Sequence, residues 1–177
     1  MGFGPGAVCD ITLNTTLTSE ERQRYQNPDV IRHILDSAQT IAILGLSSDR
    51  QKASFFVASY LRSEGYRIIP VTPRGGQILG ERCYPDLLSI PLKVDLVDIF
   101  RPAMEIPAIV ETALAVGVPA VWTQLRIIHF EAADRALAAG LNIVMDKCVK
   151  MEHARYRGSL HWAGMNTEII SARRPRR

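Results

Sequence analysis

The sequence is poor in cysteine, and the cysteines it has form no chemical arrangement. Cys9, Cys83 and Cys148 are odd in number and far apart, and no C-x-x-C pair occurs. That argues against a disulfide scaffold and against a zinc site, and makes a reducing cytosol the expected compartment. No apolar run reaches the roughly 18 to 20 residues that a membrane span needs. The opening MGFGPGAVCD lacks a basic region followed by an apolar one, so it does not read as a secretory signal. Residue 6 is glycine where a myristoylation motif wants serine or threonine. Net charge is small too: it is formally +3, part of it in the terminal SARRPRR. That end reads as solvated and mobile, not as a nucleic-acid arm. Neither a membrane nor a nucleic acid is an expected partner.

What is present suits one domain. The chain has 177 residues, of which 47% are hydrophobic and 22% charged, enough to bury a core. Residues 1–26 lack a clear period and read as an arm with one short turn. Residues 27–158 read as the domain, and residues 159–177 as a tail that packs back through Leu160, Trp162, Ile169 and Ile170. NPDVIRHILDSA is an expected helix, with Asn27 as cap, Pro28 in the first position and a stripe of Val30, Ile31, Ile34 and Leu35.

From there two periods alternate. TIAILGL, YRIIPV, VDLVDIF, PAVWTQL and NIVMD are short apolar runs read as buried strands. SFFVASYLRSEGY, MEIPAIVETALAVGV and FEAADRALAAGL have helical spacing and end at Gly65, Gly117 and Gly140. In the first of these Phe56, Val57, Tyr60 and Leu61 are expected on one side. Strands alternating with helices imply βαβ units. The expected fold is therefore α/β: a Rossmann-like, doubly wound, five-stranded parallel sheet with helices on both faces. The expected strand order is 3-2-1-4-5, with the ligand crevice beside strands 1 and 4.

Ligands of open parallel sheets bind outside the carboxyl ends of the strands. After strand 1 comes GLSSDRQKAS, with one glycine, several hydroxyls and a following helix start. Loop amides, the helix terminus and Lys52 make an anion site, with Ser54 placed to cap the helix. The loop is not a P-loop, because the G-K-[ST] ending is missing. It is not G-x-G-x-x-G either, since position 47 is serine. After strand 2 come Thr72, Pro73 and Arg74, with no acid to bond ribose hydroxyls. A cation there suits a phosphorylated ribose, which leaves NADP or coenzyme A with its 3′-phosphate. Arg101 follows Phe100 at strand 3, placed either to grip a diphosphate or to pair with Asp98 or Glu105. Trp122 reads as core, and Thr123 and Gln124 as reaching the crevice.

The set of motifs resembles the small bacterial and archaeal CoA-binding proteins of the YccU type. These share their fold with the CoA-binding domain of the succinyl-CoA synthetase alpha subunit. The resemblance runs over residues 28–158: G-x-S with a downstream K-x-S, a Pro-basic-Gly turn with I-L-G, F-R, W-x-Q-L, then M-D-x-C-x-K-x-E-H. It implies that coenzyme A or a short acyl-CoA is bound. Gly45, Leu46, Ser47, Lys52 and Ser54 would then serve its phosphates, and Thr72, Pro73 and Arg74 its adenosine end. Phe100 and Arg101 would form the rim, and Gln124 and Leu125 would lie near the pantetheine path. Two positions depart from the pattern. Arg126 stands where the family has glycine, and Thr72 precedes Pro73 where N-P is usual. The synthetase's phosphorylated histidine belongs to a separate domain, so the resemblance implies no ligase reaction.

No catalytic or metal-binding residue is assigned. His33 and His129 read as surface or cap residues. Cys148 and His153 are the one pair suited to covalent chemistry. On a helix their five-residue gap sets them about 140° apart, on different faces. Asp146 reads as a cap for the following helix or as a partner that orders Lys147. Two alternatives stand beside a CoA-binding module. One is an NADP-dependent reductase, disfavoured by the single glycine and the small size. The other is a regulatory or scaffold protein that senses acyl-CoA. A homodimer is left open.

Overall fold

The computed structural model describes residues 16–157 and the backbone of residues 9–10 and 169–170. Along the chain, β1 (Cys9–Asp10) is followed by α1 (Ser19–Tyr25), α2 (Pro28–Ser37), β2 (Thr40–Leu44), α3 (Ala53–Ser63) and β3 (Arg67–Val71). A short hairpin, β4 (Gln77–Ile78) and β5 (Glu81–Arg82), precedes β6 (Leu96–Ile99). A 3-10 turn (Ala103–Glu105) leads into α4 (Ile106–Val116), then β7 (Ala120–Thr123), α5 (Phe130–Ala138), β8 (Asn142–Val144), α6 (Val149–Tyr156) and β9 (Ile169–Ile170). β1 and β9 pair antiparallel. Leu160, Trp162 and the side chains of Ile169 and Ile170, expected to pack the tail, lie outside what is described.

Local chemistry accounts for the helix ends. Asn27 Oδ1 accepts from the Asp29 and Val30 amides, with Pro28 in the first position. Gly117 closes α4 in the left-handed region, at φ +72°. The segment read as an arm carries the two-turn helix α1. Thr18 and Glu21 form a reciprocal capping box at its start, and Tyr25 is buried. In α3 the buried face is Ser54, Val57, Ala58 and Leu61. Phe56, expected on one side with Val57 and Leu61, is instead 62% exposed and lies under the Lys150 ammonium, 4.2 Å from its ring centroid.

The main sheet is five-stranded and parallel, in the order β3-β2-β6-β7-β8. Counting its strands along the chain, this is 2-1-3-4-5, which corrects the expected 3-2-1-4-5. β6 lies against β2, with Ile41 opposite Leu96 and Leu44 opposite Ile99. Two contacts fix this start: the Gln39 and Thr40 amides both donate to Asp95 Oδ2, at 3.1 and 3.0 Å. Leu96, Val97, Asp98 and Ile99 are fully buried, as a central strand covered on both faces must be. The order therefore reverses between strands 1 and 3, not beside strand 4.

Alternate residues of each strand enter opposite cores. Ala42, Leu44, Val97, Ile99 and Val121 pack with α4 and α5 residues such as Val110 and Ala133. Ile41, Ile43, Leu96 and Trp122 pack with α2, α3 and α6 residues such as Ile34, Leu61 and Val149. Helices thus cover both faces, as a parallel sheet requires. The register aligns Leu44 with Val71 and Ile99, and Ile99 with Thr123. The segments that follow these strands share one rim. Among the described residues no helix is long and apolar enough to cross a membrane.

Candidate functional site

The turn after β2 depends on Gly45. Its φ is +82°, and a Cβ there would stand 2.6 Å from the Phe100 carbonyl oxygen. Only glycine lets the end of β2 pass this close to the end of β6. The turn is then ordered from inside. The Ser47 amide donates to Ser54 Oγ at 3.2 Å, the Asp49 amide to Ser47 Oγ at 3.1 Å, and the Gln51 amide to Asp49 Oδ1 at 2.9 Å. Ser54 does not cap α3, because it is the second residue of that helix and its hydroxyl is turned back to the loop. Lys52 occupies the cap position and offers no side-chain acceptor to the helix amides.

This turn borders a cavity of about 510 Å³ lined by residues 45–48, Lys52, residues 72–78 and Arg101. Eight of the expected site residues meet there: Gly45, Leu46, Ser47, Lys52, Thr72, Pro73, Arg74 and Arg101. The lining holds three cationic side chains and no acidic one. Residues 75–78, which the sequence reading did not assign, supply one wall. Their signal was Gly75 and Gly76 after Arg74, both at positive φ, +65° and +84°. The chain then folds into the β4–β5 hairpin, whose turn puts Leu79 and Gly80 at positive φ. The guanidinium of Arg62 on α3 donates to the Leu79 carbonyl and ties this wall down.

A second cavity of about 480 Å³ shares Gly45, Pro73 and Arg101 with the first. Its remaining lining is largely apolar, including Val71, Leu87, Met104 and Ile109, and also contains Asp86 and Glu105. Arg101 stands in the shared wall. Its guanidinium donates from Nε and Nη2 to both oxygens of Glu105, at 2.7 and 2.9 Å. Of the two placements read from the sequence, the ion pair with Glu105 is the one observed.

Four expected residues do not line the first cavity. Ser54 is buried behind the turn, and half-buried Phe100 packs against the core under α3. Gln124 is 6% exposed, and its amide donates to Asp98 Oδ1 at 2.6 Å. Leu125 is 38% exposed and lines neither cavity. Thr123 is likewise turned inward, donating to the Ile127 carbonyl at 2.6 Å. Asp98 itself is fully buried. Burial pushes its carboxyl up to about 7, although the Gln124 amide and the Ile99 amide pull the other way.

The remaining candidates line neither cavity. Burial pushes the Cys148 thiol up, away from the thiolate that nucleophilic chemistry needs. His153 accepts or donates at Nδ1 to the Tyr60 hydroxyl, 3.0 Å away, and stands edge-on to Tyr60 and Tyr66. His129 caps α5, its ring accepting from the Ala132 amide. Asp146 is not the cap residue of α6, whose cap position is Cys148. Its carboxylate accepts from the Arg126 amide at 2.6 Å and the Thr16 amide at 3.0 Å, which pins the loop after β7 to the segment before α1. Trp122 is fully buried, with Nε1 donating to the Lys147 carbonyl at 2.7 Å. Among the described residues no cluster of metal-ligating side chains occurs.

Fold and rim define a class: a Rossmann-like α/β domain with a cation-lined, acid-free cavity where the strand order reverses. Comparison with known proteins makes this particular. The family model for the CoA binding domain matches residues 39–154, and the chain belongs to that family. The uncharacterized protein YneT of Bacillus subtilis (strain 168) is 33% identical over 131 residues, covering 73% of this chain and 97% of YneT. The ADP-forming acetate–CoA ligase II of Archaeoglobus fulgidus is 32% identical over 112 residues, which are 61% of this chain but 16% of the ligase. A hypothetical protein from Pyrococcus horikoshii OT3 superposes with a TM-score of 0.68 at 33% identity, covering 86% of this chain and 98% of that one. A protein of Thermus thermophilus gives 0.69 at 37%, covering 73% and 98%. The family read from the motifs is the family found.

Proposed function

We propose that the chain binds coenzyme A or a short acyl-CoA at the strand reversal, and that binding rather than turnover is its role. One observation carries the reading: a single cavity gathers the Gly45 turn, Lys52 at the cap position of α3, and Arg74, with no carboxylate on its lining. Helix N-termini and loop amides favour anions, and two free cations strengthen that preference. In this reading the diphosphate lies against residues 45–48 and Lys52. Arg74 meets the 3′-phosphate. The uncharged part of the ligand extends past Arg101 into the second cavity, whose lining is largely apolar apart from Arg101, Asp86 and Glu105. The lining of the first cavity carries no histidine, cysteine or carboxylate that would act as nucleophile or base.

Arg74 would serve the ribose phosphate of NADP equally well, so the test includes it. Calorimetric titration with CoA, acetyl-CoA and NADPH, each alone, is expected to give binding of the first two and little of the third. A ligand bound only by the folded chain also raises its melting temperature. Lys52→Ala is expected to weaken CoA binding about tenfold, the order of one charge-assisted hydrogen bond. Absence of CoA binding at millimolar concentration overturns the proposal. Unchanged affinity in Lys52→Ala removes Lys52 from the phosphate site.

A further inference from the structure

Arg101 is the one cation in the wall between the two cavities, and Glu105 occupies it through both carboxylate oxygens. The pair is not locked in the core. Their side chains are 42% and 36% exposed, so solvent competes and each side chain is able to turn. Glu105 lines only the apolar cavity, whereas Arg101 lines both. The other cations of the first cavity, Lys52 and Arg74, have no such acid partner on the lining. Arg101 also passes close to the Gly45 turn. Its Cδ lies 3.1 Å from where a Gly45 Cβ would stand, so the stem runs beside the turn in space that the glycine leaves open.

From this we infer that Glu105 is an internal anion that reserves Arg101, and that a ligand phosphate must displace it. Glu105 thereby acts as a specificity-determining residue. A ligand with a charged phosphate beside an uncharged arm exchanges one anion for another at Arg101. A ligand with the arm alone leaves the pair intact and gains nothing from the cation. The inference rests on the CoA reading of the same cavity.

A double-mutant cycle tests it, with CoA as the probe and calorimetry as the readout. Glu105→Gln keeps the side-chain shape and frees Arg101, so CoA affinity is expected to rise about fivefold, the upper range for an exposed ion pair. Arg101→Ala is expected to lower it about tenfold or more. In the Arg101→Ala background, Glu105→Gln is expected to change affinity less than about twofold, because no cation is left to release. A gain of the same size in both backgrounds overturns the inference, since it would mean that Glu105 merely repels the ligand's charge. An unchanged affinity in Glu105→Gln alone, with normal binding by the parent, also overturns it and leaves the CoA site standing. A parent chain that binds no CoA overturns both. Melting curves of each variant show that the fold is retained.

Discussion

Replacing Gly45 by alanine probes the turn on which the site is built. The cost has two parts. Alanine at φ +82° pays the left-handed penalty, about 1–2 kcal/mol. Its Cβ would also stand 2.6 Å from the Phe100 carbonyl oxygen and 3.2 Å from the carbonyl carbon. Those atoms cannot step aside cheaply. The Phe100 amide donates to the Leu44 carbonyl at 2.9 Å, and the Gly45 amide to the Val71 carbonyl at 3.0 Å. Forcing this backbone apart adds about 1–3 kcal/mol, as overpacking does elsewhere. The total of about 2–5 kcal/mol corresponds to a fall in melting temperature of about 5–20 °C for a chain of this size. Gly140→Ala is the control, because Gly140 also has positive φ, +78°, but nothing lies within 4 Å of a Cβ there. It is expected to cost only the left-handed penalty, about 1–2 kcal/mol. Urea unfolding of the two variants reads the difference directly. Equal losses in the two would refute the claim that Gly45 is needed for close approach.

Three further outcomes are expected. Arg74→Ala lowers affinity for CoA about tenfold but leaves binding of dephospho-CoA, which lacks the 3′-phosphate, nearly unchanged; parallel titrations check it. For Asp98, the folded carboxyl sits at about 7 against an ordinary 3.8, so the folded chain holds a proton that the unfolded chain has already lost in between. That contribution to stability is full below about pH 4 and fades as pH rises through about 7. Asp98→Asn is therefore expected to flatten the stability curve between pH 5 and 8 by up to about 3 kcal/mol, measured by denaturant titration at each pH. Trp122→Phe leaves the Lys147 carbonyl without its donor in a buried layer, at a cost of about 1–3 kcal/mol in the same assay.

The strands and most helices were legible because their signals are local. Ile41 to Leu44 are apolar without interruption, Asn27 precedes Pro28, and Gly117 follows a helical run. The helix α1 was less legible because Ser19 to Tyr25 contains only one apolar residue, Tyr25. Its signal was the spacing of Thr18 and Glu21. Strand order was not legible, because residues 72–95 contain no helix whose apolar face would show which side β6 takes. The pairing rests on Asp95 meeting amides 55 and 56 residues away. In the site, the turn and its cations followed from their position after strands 1 and 2. The inward turn of Gln124 depends on Asp98, 26 residues earlier, and no spacing rule joins them. Arg101 and Glu105 are four apart, so their pairing was among the options, and only geometry decides it.

A crystal structure of the chain with coenzyme A tests the central claim most directly. The account predicts the diphosphate against residues 45–48 and the start of α3, within hydrogen-bond reach of Lys52, and the 3′-phosphate at Arg74. Coenzyme A bound elsewhere on the molecule, or with its phosphates away from the Gly45 turn, would contradict it.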